Sequence, residues 1–515
     1  MCGILFHYHG ESFENDDLMS EFDEMGLANR AYAHSAEIFG DLKALVPLIV
    51  DRGPNYASLR YSKDDRMSWF SSVLSLREPL TKQCIEIDGR FVLQYNGECY
   101  NSEIHHNDTQ WIVDQLHIYQ NAPTAIKHLS GEFAYTVYDR HTNQVFFGRD
   151  SIGKRSLSYR LDSTSGQLSI ASVTGRMEGF QNCVAGVIYI YDVTSGKLSA
   201  DLRIRPYNFH VAEESDLKYT KLEESIDCLF ASLDTAVRRR INTIHPLHTK
   251  NSPISILFSG GLDCSVIAAL VCQSIVSSCE KTVVELLNVG FENPRTGLMP
   301  ENVPDRLLGQ KSFQKLQALF PKIEIRFLEV DVPYEEYLEH RAQIMNLIYP
   351  KQTEMDLSIA TAFYFAARGQ GFVRSSTGTR ERYERKGIVL FSGLGADELY
   401  GGYHKFANKS KEELVSELET QINNIHDRNL SRDDKVIAAN GVEVRYPFLD
   451  DAVVEFSTQL PINYKINKMI LRRLAHDKLK LTDISEEPKR AIQFGAKSAK
   501  MTKNGNKHGT DLVEA

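Results

Sequence analysis

The chain has 515 residues, 42% of them hydrophobic and 25% charged, with a formal net charge of −9. That length exceeds one ordinary core and predicts two or more domains. The acidic balance, with no long basic run, argues against nucleic acid or an anionic membrane as the main partner. No basic stretch followed by an apolar one marks a secretory leader, and no apolar run is long enough to span a bilayer. Eight cysteines without a single C-x-x-C pair give neither a disulfide framework nor a zinc pattern, so the expected compartment is the cytoplasm.

The chain opens MCGILFHYHG, with Cys2 directly behind the initiator methionine. Trimming of Met1 exposes a thiol and an α-amine on one residue, the thiolate being the reactive form and the amine a possible base. The same residues also read as the start of a buried strand, and this stretch alone favours that plainer reading. From 2 to about 200 the chain is strand-rich, with runs such as Phe91–Tyr95, Phe133–Tyr138 and Gly186–Tyr191 between turn residues. One helix, Trp111 to Tyr119, interrupts them. Residues 201–220 are polar and irregular and read as a linker.

Beyond it, Leu222, Ile226, Leu229, Leu233 and Val237 recur at helical spacing. Short β runs at Ile254–Phe258, Val283–Val289, Ile323–Val330 and Ile388–Phe391 then alternate with helices. That alternation predicts a parallel sheet covered by helices, over 221–496. The polar stretch 497–515 reads as a disordered tail.

The strongest local signal is SILFSGGLDCSVIAAL. A β run ends at Phe258, and the turn Ser259, Gly260, Gly261, Leu262, Asp263, Cys264, Ser265 leads into a helix. Glycines let the backbone approach an anion, and the N–H groups of the helix start face it. Asp263 suits the Mg²⁺ that accompanies a phosphate. A plain glycine-rich turn with a helix cap is the alternative, but the acid inside the loop favours pyrophosphate with metal. No G-K-[S/T] follows, so this is not the loop of the common nucleotide hydrolases. VLFSGLGADELYGGY repeats the theme, with Gly393, Asp397 and Glu398 after a second β run. Ligands of open parallel sheets lie at the carboxyl ends of strands, so both turns are expected on one crevice, with Asp263 and Asp397 as opposite ligands of one Mg²⁺.

Cys2-Gly3-Ile4, DRGPN, YNGECYN, GEFAYTVYD and GRDSIGKRSL resemble a glutamine amidotransferase domain of the N-terminal-nucleophile type. LFSGGLDCS, SGLGADELYGGY and GVEVRYPFLD resemble the synthetase domain of the glutamine-dependent asparagine synthetases. VPDRLLG, RNLSRDDKV and PKRAIQFGAK resemble one branch of that family. The resemblance implies an α/β/β/α Ntn-hydrolase sandwich over 2–200, followed by an α/β parallel-sheet ATP-pyrophosphatase-type domain. It implies small-molecule substrates: glutamine hydrolysed at Cys2, and ammonia amidating an aspartate that ATP has adenylated, with Mg²⁺ as cofactor. Asn96 and Gly97 match the oxyanion hole, Glu98 and Asp108 the acids holding the glutamine α-amine, and Arg52 a loop lining that pocket. Ser259, Gly260, Gly261, Asp263, Cys264, Ser265 and Gly393 match the ATP and pyrophosphate loops. Lys489 or Arg490 is expected at the phosphates.

Three positions depart from the family. An arginine usually clamps the glutamine α-carboxylate where this chain has Val73, with Arg77 four residues on. Arg77 is expected on the same strand face, about 13 Å away. Leu394 stands where the family has a glutamate acting as general base, a loss worth about 10²–10⁴-fold in rate. Cys264 replaces the usual serine, a milder change because the backbone N–H remains. These departures keep open an alternative, a catalytically weakened scaffold that binds nucleotide or glutamine with a regulatory role, or an enzyme amidating another carboxylate. Glu443 and Arg445 read equally as pocket residues or as a pair shaping their turn. His7 and His9 read as strand residues, and Trp69 and Trp111 as core.

Overall fold

The computed structural model describes residues 2–10, 16–23, 27–205, 211–212, 216–245, 253–278, 282–375, 378–403, 409–502 and 508–513. The chain divides into two units. The first holds residues 1–207, 346–350 and 426–442, and the second holds 208–345, 351–425 and 443–515.

In the first unit, strand Cys2–Tyr8 lies inside an antiparallel sheet, between Leu168–Ala171 and Met67–Val73. A second antiparallel sheet runs in the order Lys197–Arg203, Val187–Asp192, Gln144–Arg149, Gly131–Asp139, Phe91–Cys99, Ile85–Ile87. Alternation turns Ile4, Phe6 and Tyr8 to one face, where they join Trp69 from the first sheet and Val92, Ala134 and Phe147 from the second in one buried cluster. The outer face of the second sheet is closed by helices Asp108–Tyr119 and Ala122–Lys127, through Ile112, Leu116 and Ile126. Helix Val46–Val50 packs on the first sheet. This is the α/β/β/α sandwich that the sequence implies. Its helix starts three residues earlier than periodicity suggests, because the Asn107 side chain accepts from Thr109 N and Gln110 N and caps it. Trp69 is core, and Trp111 packs against the helix-covered cluster.

The second unit has a sheet ordered Arg380–Glu384, Gln370–Arg374, Ile325–Val332, Val284–Phe291, Ile254–Leu257, Val389–Phe391, Glu443–Arg445. The last five of these strands pair in parallel, as the βα alternation predicts, and the Gln370–Glu384 hairpin adds an antiparallel edge. The strand order reverses at Ile254–Leu257, which has Val284–Phe291 on one side and Val389–Phe391 on the other. The two glycine-rich turns follow Ile254–Leu257 and Val389–Phe391, so both open at the switch point where ligands of such sheets bind. Helix Leu262–Ser278 is buried around most of its circumference, which explains its apolar sequence.

Two boundary expectations are corrected. Residues 201–203 complete strand Lys197–Arg203 rather than opening a linker, while 206–210 and 213–215 lie outside the described residues. The segment after 497 is docked where described: Met501 is buried, Ser498 Oγ donates to Ser358 O, and Val513 N donates to Gln352 O. A polar composition hid these backbone bonds. Glu443 and Arg445 resolve as a buried pair at 2.8 Å, with Arg445 also donating to Thr243 Oγ1, so they shape the strand edge.

Candidate functional site

Cys2 begins its strand directly opposite Val73, and with Val73 and Tyr56 forms a small buried cluster. Its N donates to Asn96 Oδ1 at 2.8 Å. Asn96 Nδ2 is buried, and no acceptor among the described residues reaches it. A buried amide donor left without a partner is costly unless something else uses it. Gly97 follows in the same strand with φ +152, and a Cβ there would lie 2.1 Å from Glu132 O. Only glycine lets this strand run so close to its neighbour while presenting the Gly97 backbone. Gln83, not singled out by sequence, completes the surroundings: its Nε2 lies 4.0 Å from Cys2 Sγ, and its amide pairs with Tyr95 through Tyr95 O at 2.8 Å and Tyr95 N at 2.7 Å.

The expected glutamine residues separate into two groups. Glu98 and Asp108 lie together at the end of the Asn96 strand, Asp108 Oδ2 accepting from Cys99 N at 2.9 Å and Oδ1 from Thr109 N at 2.8 Å. The Arg52 side chain reaches Asp434 and the backbone of Cys2. Its guanidinium is buried, donating through Nη2 to Asp434 at 2.9 Å and through Nε to Cys2 O at 3.3 Å. An unpaired guanidinium is too costly to bury, and Asp434 is the carboxylate that makes its burial possible. Arg77 is corrected. The strand ends at Val73, so Arg77 sits in the loop beyond it rather than on the same face. It donates to Glu98, to Cys99 O at 2.7 Å and to His106 O at 3.0 Å.

In the second unit, Ser259, Gly260, Gly261, Cys264 and Ser265 form a compact turn, with Cys264 Sγ donating to Gly261 O and Ser265 Oγ to Gly260 O, each at 3.3 Å. Burial pushes the Cys264 thiol up. Gly393 passes so close that a Cβ would lie 2.9 Å from Asp263 Cβ, so the two turns do meet. Lys468 Nζ lies between the acids, 2.7 Å from Asp263 Oδ1 and 2.7 Å from Asp397 Oδ1, and Lys489 Nζ pairs with Asp397 Oδ2. Burial alone would lower the Lys468 pKa, but the two carboxylates outweigh it and raise it well above the usual lysine range. Asn467 and Lys468 take left-handed backbone, φ +53 and +59. Each costs about 1–2 kcal/mol, a local strain that aims the ammonium inward. Beside this cluster opens a cavity of ≈ 800 Å³ whose lining includes Lys468, Arg472, His476, Ser485 and Lys489. Lys489 thus meets the site, whereas Arg490 faces Asp305, 3.9 Å away. Asp305 is pushed up to about 7 by burial.

Mg²⁺ held by Asp263 and Asp397 does not fit this arrangement. Two carboxylates already face two ammonium groups, Lys468 between Asp263 and Asp397 and Lys489 on Asp397, so the cluster's own charges balance. No group of three or more His, Cys, Asp or Glu able to hold a metal occurs among the described residues. The expectation followed from acids in phosphate loops; the partner that the structure gives those acids is a lysine from a distant segment.

A family model for asparagine synthase matches residues 407–514, and one for a glutamine amidotransferase domain matches 72–177. An asparagine synthetase domain-containing protein of Saccharomyces cerevisiae is 55% identical over 525 residues, covering 100% of this chain and 99% of that one. The chain belongs to the asparagine synthetase domain-containing family. Asparagine synthetase domain-containing protein 1 of Mus musculus is 29% identical over 88% of this chain and 94% of its own length. The asparagine synthetase [glutamine-hydrolyzing] of Cricetulus griseus is 26% identical over 79% of this chain and 72% of its own. Both halves of this family member therefore have counterparts in one continuous relative.

Three site residues escaped the sequence. Gln83 and Lys468 sit in stretches without glycine turns or paired acids, and nothing local marks them. Asp434 lies in RNLSRDDKV, a quoted motif to which no chemistry was attached. Among the described residues no helix is long and apolar enough to cross a membrane.

Proposed function

We propose that this family member hydrolyses glutamine at Cys2 and uses the ammonia to amidate a carboxylate, aspartate, that ATP has activated in the second unit. The observation that carries this reading is Asn96, holding the Cys2 N through Oδ1 while its buried Nδ2 meets no acceptor among the described residues. In the reading, Met1 is removed and the Cys2 α-amine takes the thiol proton. The thiolate adds to the side-chain carbonyl of glutamine, and Asn96 Nδ2 and Gly97 N receive the developing oxyanion. The C–N bond breaks, ammonia leaves, and water releases glutamate from the thioester.

Arg77 and Glu98 suit the other end of the substrate. Their ion pair offers one positive and one negative group, the complement of a free amino acid's carboxylate and ammonium. Exchange of partners gives Arg77 the role that Val73 cannot fill. In the second unit the aspartate carboxylate attacks the α-phosphorus of ATP and pyrophosphate leaves. Ammonia then displaces AMP. Lys468 and Lys489 are the cations able to offset charge on the leaving phosphates.

Leu394 and the cluster of Asp263 and Asp397 with Lys468 and Lys489, two acids against two ammonium groups, favour a second reading, a nucleotide-binding scaffold with a regulatory role. Purified chain given ATP, Mg²⁺, aspartate and excess ammonium separates the two. Aspartate-dependent pyrophosphate together with asparagine supports the synthetase; bound ATP with neither product supports the scaffold. N-terminal sequencing and a Cys2→Ala variant test the first unit, where glutamine-dependent turnover should vanish and ammonia-dependent turnover should survive.

A further inference from the structure

Residues 426–442 follow most of the second unit in sequence yet belong to the first. Helix Ser431–Ala438 carries Arg432, Asp433, Asp434 and Lys435 in succession, and all four are buried. Consecutive buried charges are rare unless each is paired. Here Lys435 Nζ donates to Tyr349 O at 3.2 Å and Arg432 Nε to Asp433 Oδ1 at 2.8 Å. Asp434 has the richest set. Its Oδ2 accepts from Arg52 Nη2 at 2.9 Å, Ser156 N at 2.9 Å and Ser156 Oγ at 2.6 Å, while Arg155 Nη1 lies 3.7 Å from Oδ1. Burial opposes its charge, but Arg52 and Arg155 outweigh that and hold the carboxylate below its usual range.

The Arg52 guanidinium has a second arm, Nε, on the carbonyl oxygen of Cys2 at 3.3 Å. Cys2 is therefore held at both ends of its backbone, N by Asn96 and O by Arg52. Fixing those two atoms fixes the direction of the Cα–Cβ bond and narrows the arc on which Sγ can lie. We infer that Asp434 is a positioning residue for the Cys2 nucleophile, acting through Arg52. The inference rests on the glutaminase reading above. It makes the glutaminase of this chain depend on a segment encoded some 380 residues beyond Arg52.

The test uses the full-length chain with Asp434→Asn, which keeps the size and the Ser156 contacts but removes the charge that aligns Arg52. The expected result is a fall of about 10²-fold in glutaminase kcat with KM for glutamine unchanged, since misplacement of a reacting group costs rate rather than binding. Arg52→Met should fall similarly, and the double variant should fall no further than the worse single one, because both act on one contact. Wild-type kcat in Asp434→Asn, or losses that multiply in the double variant, overturns the inference. Should Asp434→Asn not fold, Arg52→Lys decides: it keeps the ion pair but cannot hold both ends, so kcat falls at an unchanged melting temperature, and an unaltered kcat overturns the proposal. A wild-type chain that does not hydrolyse glutamine removes the glutaminase reading instead. Positioning is then judged by the rate of Cys2 alkylation with iodoacetamide, and a rate unaffected by Asp434→Asn overturns it.

Discussion

Asn96 accepts from the Cys2 N at 2.8 Å through its carbonyl oxygen, while its buried NH₂ group meets no acceptor among the described residues. An amide bound in this way cannot flip without losing the Cys2 contact. The donor is therefore preset before any substrate arrives, which is the condition under which an oxyanion hole lowers a barrier. Replacing Asn96 by Ala should reduce glutaminase kcat by about 10²–10³-fold with a smaller change in KM. A stopped ammonia-release assay measures both, and kcat within a factor of two of wild type would remove Asn96 from the mechanism.

Arg77→Met removes the cation paired with Glu98. If Arg77 takes the substrate carboxylate, KM for glutamine should rise at least about tenfold, the loss expected for one charged hydrogen-bonding partner. The Val73→Arg, Arg77→Met double variant should recover part of it. An Arg77→Met chain with unaltered KM shows that Arg77 only braces the loop through Cys99 O and His106 O.

Lys468 faces both carboxylates of the second unit, and Leu394 half-buries its apolar side chain on the adjoining turn. Lys468→Met should abolish ATP-dependent pyrophosphate release while leaving glutaminase activity intact. It should also free the two acids, so that Mg²⁺ affinity in the absence of nucleotide increases. Isothermal titration with MgCl₂ reads that directly. Leu394→Glu restores an ionisable group at the position of the family's base and should raise ammonia-dependent turnover, by up to about 10²-fold given the usual value of such a group. No gain would place the rate limit elsewhere.

His7 and His9 give the first sheet an acid sensitivity. Their rings stand 4.4 Å apart, with His7 bonded to Ser169 Oγ and His9 to Ser68 Oγ. Burial, with a smaller contribution from His9, lowers His7 from 6.5 to about 3, and burial lowers His9 to about 4. Both folded-state values lie below the unfolded one, so the unfolded chain binds more protons between about pH 3 and 6.5, and stability falls as pH drops through that window. At pH 5 the His7 share is about 2 kcal/mol, recovered in His7→Asn. Urea unfolding at pH 8 and pH 5 should show the difference for the wild type and a smaller one for the variant.

Much of this molecule could be read locally. Alternating β-formers mark the strands around Cys2 and Asn96, βα alternation marks the parallel sheet, and two glycine turns mark the strand ends at its switch point. Such features rest on backbone period and on φ values that only certain residues tolerate, so neighbouring residues suffice to reveal them. Boundaries near residues 201 and 497 were less legible, because hydrogen bonds to other segments, strand Val187–Asp192 for one and Gln352 and Ser358 for the other, outweigh polar composition.

What the amino-acid sequence by itself determined is the set of elements and the placing of Cys2, Asp263 and Asp397 near their ends. Tertiary structure alone decided the partners of the charges. Arg52 meets Asp434, Arg77 folds onto Glu98, and Lys468 enters between Asp263 and Asp397. The physical reason is that a buried charge must find an opposite one within a few ångströms, wherever in the chain that partner lies. Hydrophobic period is written along the chain, whereas charge pairing is settled only when the chain has closed on itself.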